Sequence, residues 1–136
     1  MSYLLDTNII SNIVKKNEIV KAKFWELKFR EEKFFISVIS YYEVKRGLLY
    51  ASATRQISNF NGFCQEVTVL FLDDLEIMER AASIHADLRG KGTPLEDSDI
   101  LIAATAIARD LILVSHDSDM LSVPGLKLED WLSTEG

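Results

Sequence analysis

An α/β fold with a central, mostly parallel sheet of four to five strands is what the sequence predicts, and three observations carry the prediction. Short segments rich in β-branched and aromatic residues begin near residues 3, 34, 67 and 111, and helical periodicity fills the intervals between them. The strand at 111–115 has an unbroken apolar body, which suits a position buried on both faces of a parallel sheet. With 136 residues, 48% of them hydrophobic, the chain can bury one sizeable core, so a single domain over residues 1–136 is expected.

Residues 3–5 read as the first strand, ending at Asp6-Thr7-Asn8, where a turn or helix cap is the natural reading. Ile9, Ile10, Ile13 and Val14 recur at helical spacing, and residues 19–30 give a second helix with Val20, Phe24, Trp25 and Leu27 as its apolar stripe. The next strand covers 34–37, and Ser40 is the expected N-cap of a helix over 41–51. Residues 54–66 form a weaker helix, interrupted by Asn61-Gly62, before a strand at 67–72 of strong β-propensity. Asp73 opens a helix to about residue 89, and residues 90–94 (GKGTP) are a loop by composition. The helix expected at 97–110 is apolar on almost every side and should be buried. Val123-Pro124-Gly125 then turns the chain toward a short strand at 126–128 and a final helical turn around Trp131.

Composition narrows the function classes. Cys64 is the only cysteine, so no intrachain disulfide can form and the cytoplasm is the expected compartment. The apolar runs are far shorter than the roughly 20 residues a membrane span needs, so neither export nor insertion is expected. A net charge of −6 argues at face value against nucleic acid. Yet seven of the fifteen basic residues fall between Lys15 and Lys33, with Lys45 and Arg46 soon after. That clustering fits either a basic face for RNA or a solvated helix surface.

In open α/β sheets ligands bind beyond the carboxyl ends of the strands. Asp6 lies just past the first strand, Ser37, Ser40 and Glu43 past the second, and Asp117 past the strand at 111–115; Asp99 joins them if its helix runs up to that edge. Each acid also has a structural reading. Asp6 could cap the first helix, and Glu43 could complete a capping box with Ser40. Asp97 and Asp99 could complement a helix dipole, and Asp117 and Asp119 could stabilise a turn. Dipole complementation leaves unexplained why Asp99 sits on a helix with hardly a polar side to turn outward. Asp73 and Asp74 fit a cap with nothing left over. Clustered carboxylates repel one another unless a cation compensates, and an oxygen-only donor set favours Mg²⁺ or Mn²⁺ over zinc. Such ions commonly serve phosphoryl chemistry, and nucleotide-binding loops, serine elbows and zinc-protease motifs are all absent.

Five blocks carry a resemblance: LLDTN at 4–8, SVISYYEVKRG at 37–47, DSDILIAATA at 97–106, LVSHD at 113–117 and VPGLKLEDW at 123–131. Together they resemble a PIN-domain ribonuclease of the VapC toxin type, over nearly the whole chain and in the right order. The resemblance implies a PIN-like α/β/α sandwich and makes Asp6, Glu43, Asp99 and Asp117 a catalytic and metal-binding quartet. It further implies Mg²⁺- or Mn²⁺-dependent endonucleolytic cleavage of RNA, with transfer RNA the first expectation. A homodimer is implied, as is a cognate VapB-type antitoxin that inserts into the active site, with higher hetero-oligomers possible between the two. Thr7, Asn8 and Ser115 would be hydrogen-bonding neighbours, with Asp97 and Asp119 as second-tier acids and Lys45, Arg46 and His116 as candidate RNA contacts. Ser115-His116 stands where Thr-Arg is common in the family, Met120 where Phe is common and Glu96 where Gly is common.

Three alternatives stay open at this point. The chain could be a PIN-fold nuclease outside any toxin–antitoxin pair, or a PIN fold that binds without cleaving. A receiver-like signalling domain would also gather acids and Mg²⁺ at a sheet edge, but Asp73-Asp74 comes too late in the chain for it.

Overall fold

A computed structural model describes residues 1–132. Five strands, β1 (Ser2–Leu5), β2 (Lys33–Ser37), β3 (Thr68–Leu70), β4 (Ile112–Val114) and β5 (Leu128–Glu129), form one sheet in the order β3-β2-β1-β4-β5. Every pairing is parallel. The chain steps outward from β1 through β2 to β3, then returns to lay β4 against the other side of β1. This is a topological switch point at the centre of the sheet, where a ligand crevice is expected.

Helices α1 (Thr7–Val14), α2 (Glu18–Phe29), α3 (Val38–Tyr50) and α4 (Thr54–Cys64) cover one face, and α5 (Leu75–Gly90) and α6 (Asp97–Ala108) the other. The period-two alternation of the strands divides the core accordingly. Tyr3, Leu5, Phe34, Ile36, Ile112 and Val114 point to the first face, where Phe24 lies 4.7 Å from Phe34 and 5.4 Å from Phe63 between ring centroids. Truncating Phe24 to alanine there would cost about 3–5 kcal/mol. Leu4 and Leu113 point to the second face, against Ile77, Ile84, Leu88 and Ile102. Helix α6 is buried on nearly all sides, as its composition predicts, and its one interior hydroxyl, Thr105, donates back to Leu101 O at 2.8 Å.

Several boundaries differ from the expectations. Ser37, not Ser40, caps α3: its backbone is extended and its side chain accepts from the Ile39 amide. Strand β2 therefore passes into α3 with no loop, and Ser40 lies fully buried inside the helix. Asp74 rather than Asp73 caps α5, accepting from the Glu76 amide. Helix α4 runs through Asn61-Gly62 without a break. The edge strands are shorter than β-propensity suggests, β3 having three residues and β5 two. Trp131 closes the core as part of a bend rather than a helical turn, and residues 133–136 lie outside the described residues.

Candidate functional site

Asp6 follows β1 at the switch point. Its amide donates to Val114 O at 2.9 Å, which extends the β1–β4 ladder by one rung and places the side chain over the carboxyl ends of both strands. Oδ1 accepts from the Thr7 amide at 2.8 Å, and Oδ2 accepts from the Ser115 hydroxyl at 2.7 Å. A capping carboxylate normally reaches the second or third helical amide, not the first. Capping is therefore an incomplete account of a residue only 3% exposed. Burial pushes the Asp6 carboxyl above its ordinary range, the two hydrogen bonds oppose that, and Glu43 and Asp117 add to it by repulsion.

Glu43 reaches the same place from α3. The Thr7 hydroxyl lies 2.8 Å from Glu43 Oε1 and 3.0 Å from Ser40 Oγ. A hydroxyl has one proton to give. Because the carboxylate can only accept, Thr7 donates to Glu43 and Ser40 donates to Thr7, a relay of two hydroxyls ending on the acid. The capping-box reading of Ser40 and Glu43 fails, since both lie inside the helix three residues apart on one face.

At the end of β4, the Ser115 hydroxyl that donates to Asp6 also accepts from the Asp117 amide at 3.1 Å and, more loosely, from Asn8 Nδ2 at 3.4 Å. Asn8 Oδ1 accepts from the His116 amide at 3.1 Å. The start of α1 is thus sewn to the segment that carries Asp117. Asp117 in turn caps a short 3₁₀ helix (Ser118–Ser122), accepting from the Asp119 amide, so its turn role is real.

Asp99 comes in from the opposite layer, in the first turn of α6. Its carboxyl is pushed up to about 6, first by burial and then by Asp6, Asp117, Glu43 and Glu96. That set of neighbours shows the four expected acids converging on one space from four segments. Glu96, which also bears on Asp99, enters the sequence reading only as a departure from the family's usual Gly, with no role at the site. Asp97 and Asp119 are exposed, and neither contributes to the shift at Asp99.

The expected RNA contacts are engaged elsewhere. Lys45 Nζ donates to Asn61 Oδ1 and sits 6.0 Å over Phe60; Arg46 lies 5.1 Å over Tyr42; and the His116 ring pairs with Asp130 at 3.0 Å. Sequence spacing placed Ser40 on the edge but did not reveal its buried donor role, for which its position one helical turn before Glu43 is the available signal.

Among the described residues, no three carboxylate, imidazole or thiol groups stand close enough to enclose a cation as they are. Burial first and the neighbouring acids second raise Asp99, and a cation would relieve the repulsive part. The donors are all oxygen, and two of them are held at raised proton affinity. This chemistry suits a hard divalent ion, with Asp6, Glu43, Asp99 and Asp117 as the residues to hold it.

Comparison with known proteins identifies the family. The family model described as "PIN domain" matches residues 3–126. The tRNA(fMet)-specific endonuclease VapC of Salmonella typhimurium is 30% identical over 134 residues, covering 96% of this chain and 98% of that protein. Ribonuclease VapC2 of Rickettsia felis is 29% identical over 139 residues, again covering 96% and 98%. Among solved structures, a chain in the crystal structure of VapBC2 from Rickettsia felis bound to a DNA fragment from their promoter matches with a TM-score of 0.87 and 25% identity, over 96% of this chain and 99% of that one. A chain of DNA-bound VapBC from Salmonella typhimurium matches with a TM-score of 0.80 and 29% identity, over 96% and 98%.

Proposed function

This chain belongs to the PIN-domain family, among its VapC ribonucleases, and from that premise we propose that it is a Mg²⁺- or Mn²⁺-dependent endoribonuclease, the toxin of a toxin–antitoxin pair. The observation that carries this reading is the approach of Asp6, Glu43, Asp99 and Asp117 to one another at the switch point, with Asp99 raised by burial and then by the other three. Structured RNA, transfer RNA first, is the proposed substrate, in line with the name of the Salmonella relative. A VapB-type antitoxin is the proposed partner, because the matching structures are VapBC complexes, and its insertion into the acidic site is the proposed mode of inhibition. A homodimer acting in the cytoplasm completes the proposal. No helix among the described residues is long and apolar enough to cross a membrane.

The chain's own groups divide the work. Ser115 and the Thr7 amide fix both oxygens of Asp6, and Thr7 with Ser40 behind it fixes one oxygen of Glu43. When bound, a divalent ion would activate water and offset charge developing on the scissile phosphodiester. Burial and the neighbouring acids push the Asp99 carboxyl up to about 6, so it carries a proton only below that pH, and a bound cation would favour its ionised form. The sheet edge excludes water from Asp6 while leaving Glu43, Asp99 and Asp117 partly open to substrate.

The test is cleavage of a transfer RNA transcript by the purified chain with Mn²⁺, Mg²⁺ or EDTA, alongside folded Asp6→Asn and Asp99→Asn variants. Metal-dependent cleavage lost in both variants is the expected result. Retained cleavage in either would overturn the assignment of the quartet.

A further inference from the structure

A groove of about 320 Å³ opens beside Glu43, between α1, α3 and α4. Glu43 forms one end of it and Lys15 lies on its rim; Val44, Leu48 and Ala51 supply apolar wall, and Ser11 and Gln56 supply neutral polar groups. We propose that this groove is a nucleotide subsite of the RNA strand, immediately beside the cleavage position. Its walls receive a splayed base, and Lys15 meets a backbone phosphate. The inference rests on the ribonuclease reading above and deepens it by assigning where the strand runs.

Three features commit the groove to this occupant. The first is continuity, because Glu43 belongs both to the acidic quartet and to the groove, so a strand with its phosphate at the quartet has a neighbouring nucleotide at the groove's mouth. The second is size: pockets that hold small organic ligands run about 300–1,000 Å³, and this groove is at the bottom of that range, with room for a nucleotide but not for a packed helix. The third is charge. Of the basic residues clustered between Lys15 and Lys33, Lys28 and Arg30 are spent on Glu66 and Glu26, whereas Lys15, like Lys16, Lys21, Lys23 and Lys33, takes part in no ion pair among the described residues. It is also the one that lines the same groove as Glu43. An uncommitted cation on an otherwise acidic protein is suited to neutralise a phosphate. Unpaired bases lodged against apolar surface, with polar groups at their edges, are the usual targets in single-stranded RNA recognition.

Gly47 makes the test clean. It lines the groove, sits inside α3, and a Cβ there would meet nothing within 4 Å, so a side chain can start from this position without a clash at its first carbon and occupy groove space beyond it. Equilibrium binding of a fluorescent transfer RNA transcript is measured in Ca²⁺, with cleavage in Mn²⁺ read separately, for the wild type, Gly47→Ala, Gly47→Leu and Lys15→Gln. Expected results are binding about tenfold weaker than wild type for Gly47→Leu, with a smaller loss for Gly47→Ala, and unchanged Mn²⁺ affinity by calorimetry in both. For Lys15→Gln, the slope of log affinity against log salt should flatten by about 0.7. Wild-type affinity and slope in both Gly47→Leu and Lys15→Gln would overturn the subsite. So would full RNA binding combined with escape from a co-expressed antitoxin, which would assign the groove to a protein partner. If the wild type binds RNA without cleaving and Gly47→Leu weakens that binding, the nuclease reading falls and the subsite stands; if the wild type does not bind RNA, both fall.

Discussion

The Ser115 hydroxyl lies 2.7 Å from Asp6 Oδ2, across 109 residues of chain and at the ends of two adjacent parallel strands. Among the described residues it is the one side-chain donor to an acid that burial has almost removed from water. Ser115→Ala should strip that donor and weaken Mn²⁺ binding by about 10–100-fold, the usual effect of losing a group that orients a metal ligand. It should also destabilise the fold by about 1–3 kcal/mol, because Oδ2 is left buried without a partner. Calorimetry and urea unfolding measure the two effects, and Ser115→Thr should restore both. Wild-type Mn²⁺ affinity in the alanine variant would show that Asp6 needs no such support.

The hydroxyl relay onto Glu43 can be tested by shape against chemistry. Thr7→Val keeps the volume but removes the proton that Glu43 receives, whereas Thr7→Ser keeps the proton. Cleavage should fall about 10–100-fold in the valine variant and recover in the serine variant. Equal activity in the two would sever Thr7 from the function of Glu43.

Asp99 sets an unusual pH dependence in the metal-free protein. Its carboxyl is held at about 6 in the fold against an ordinary value of 3.8, so the folded state binds the extra proton between those limits. Stability from this group is therefore greatest at low pH and falls as pH rises through about 6. In EDTA, Asp99→Asn should melt at a higher temperature than the wild type at pH 8, and the two curves should converge as pH drops below 6. A lower melting temperature for Asp99→Asn at pH 8 would contradict a crowded acidic site.

A cation should reverse this trend. At free Mn²⁺ about 100-fold above its dissociation constant, stabilisation of about 2.7 kcal/mol is expected. The gain should shrink as pH falls through about 6, because protons compete for Asp99. Thermal melts with and without Mn²⁺ across pH 5 to 8 read this directly, and an increment independent of pH would place the ion elsewhere.

Gly47→Ala should stabilise the chain by about 0.5–1 kcal/mol, since the glycine sits inside α3 and the added methyl meets open space. Denaturant unfolding measures it. A loss of stability would mean that α3 needs freedom at that point.

The parts of this architecture that obey a period were readable in advance. Ile9, Ile10, Ile13 and Val14 repeat at helical spacing and are all buried in α1, and the apolar run before Ser115 is the doubly covered β4. The positions of Asp6 and Asp117 just past β1 and β4 were readable from the strand pattern, at the edge where ligands of α/β sheets gather. What spacing does not encode is who holds a proton for whom. Ser40 and Glu43 satisfy a capping-box pattern, yet the true cap is Ser37, because the chain turns into α3 the moment β2 ends. Lys45, Arg46 and His116 stand near the site in sequence, but aromatic faces and Asp130 compete for their charge, a choice made by side-chain packing. Glu96 bears on Asp99 from three residues away at the start of α6, a spacing that was legible in the sequence once the helix start was fixed.

The return of β4 to the flank of β1 has a temporal side. Strands β1, β2 and β3 follow one another early in synthesis, with Asp6 and Glu43 already present, but Asp99 and Asp117 come from the last third of the chain. Closing the β1–β4 pair must wait until more than a hundred residues have been made, since long-range parallel pairing is among the late and slow events of folding. The four acids therefore cannot be gathered at the sheet edge until Ile112–Val114 have been made, so the strand order itself delays assembly of the site.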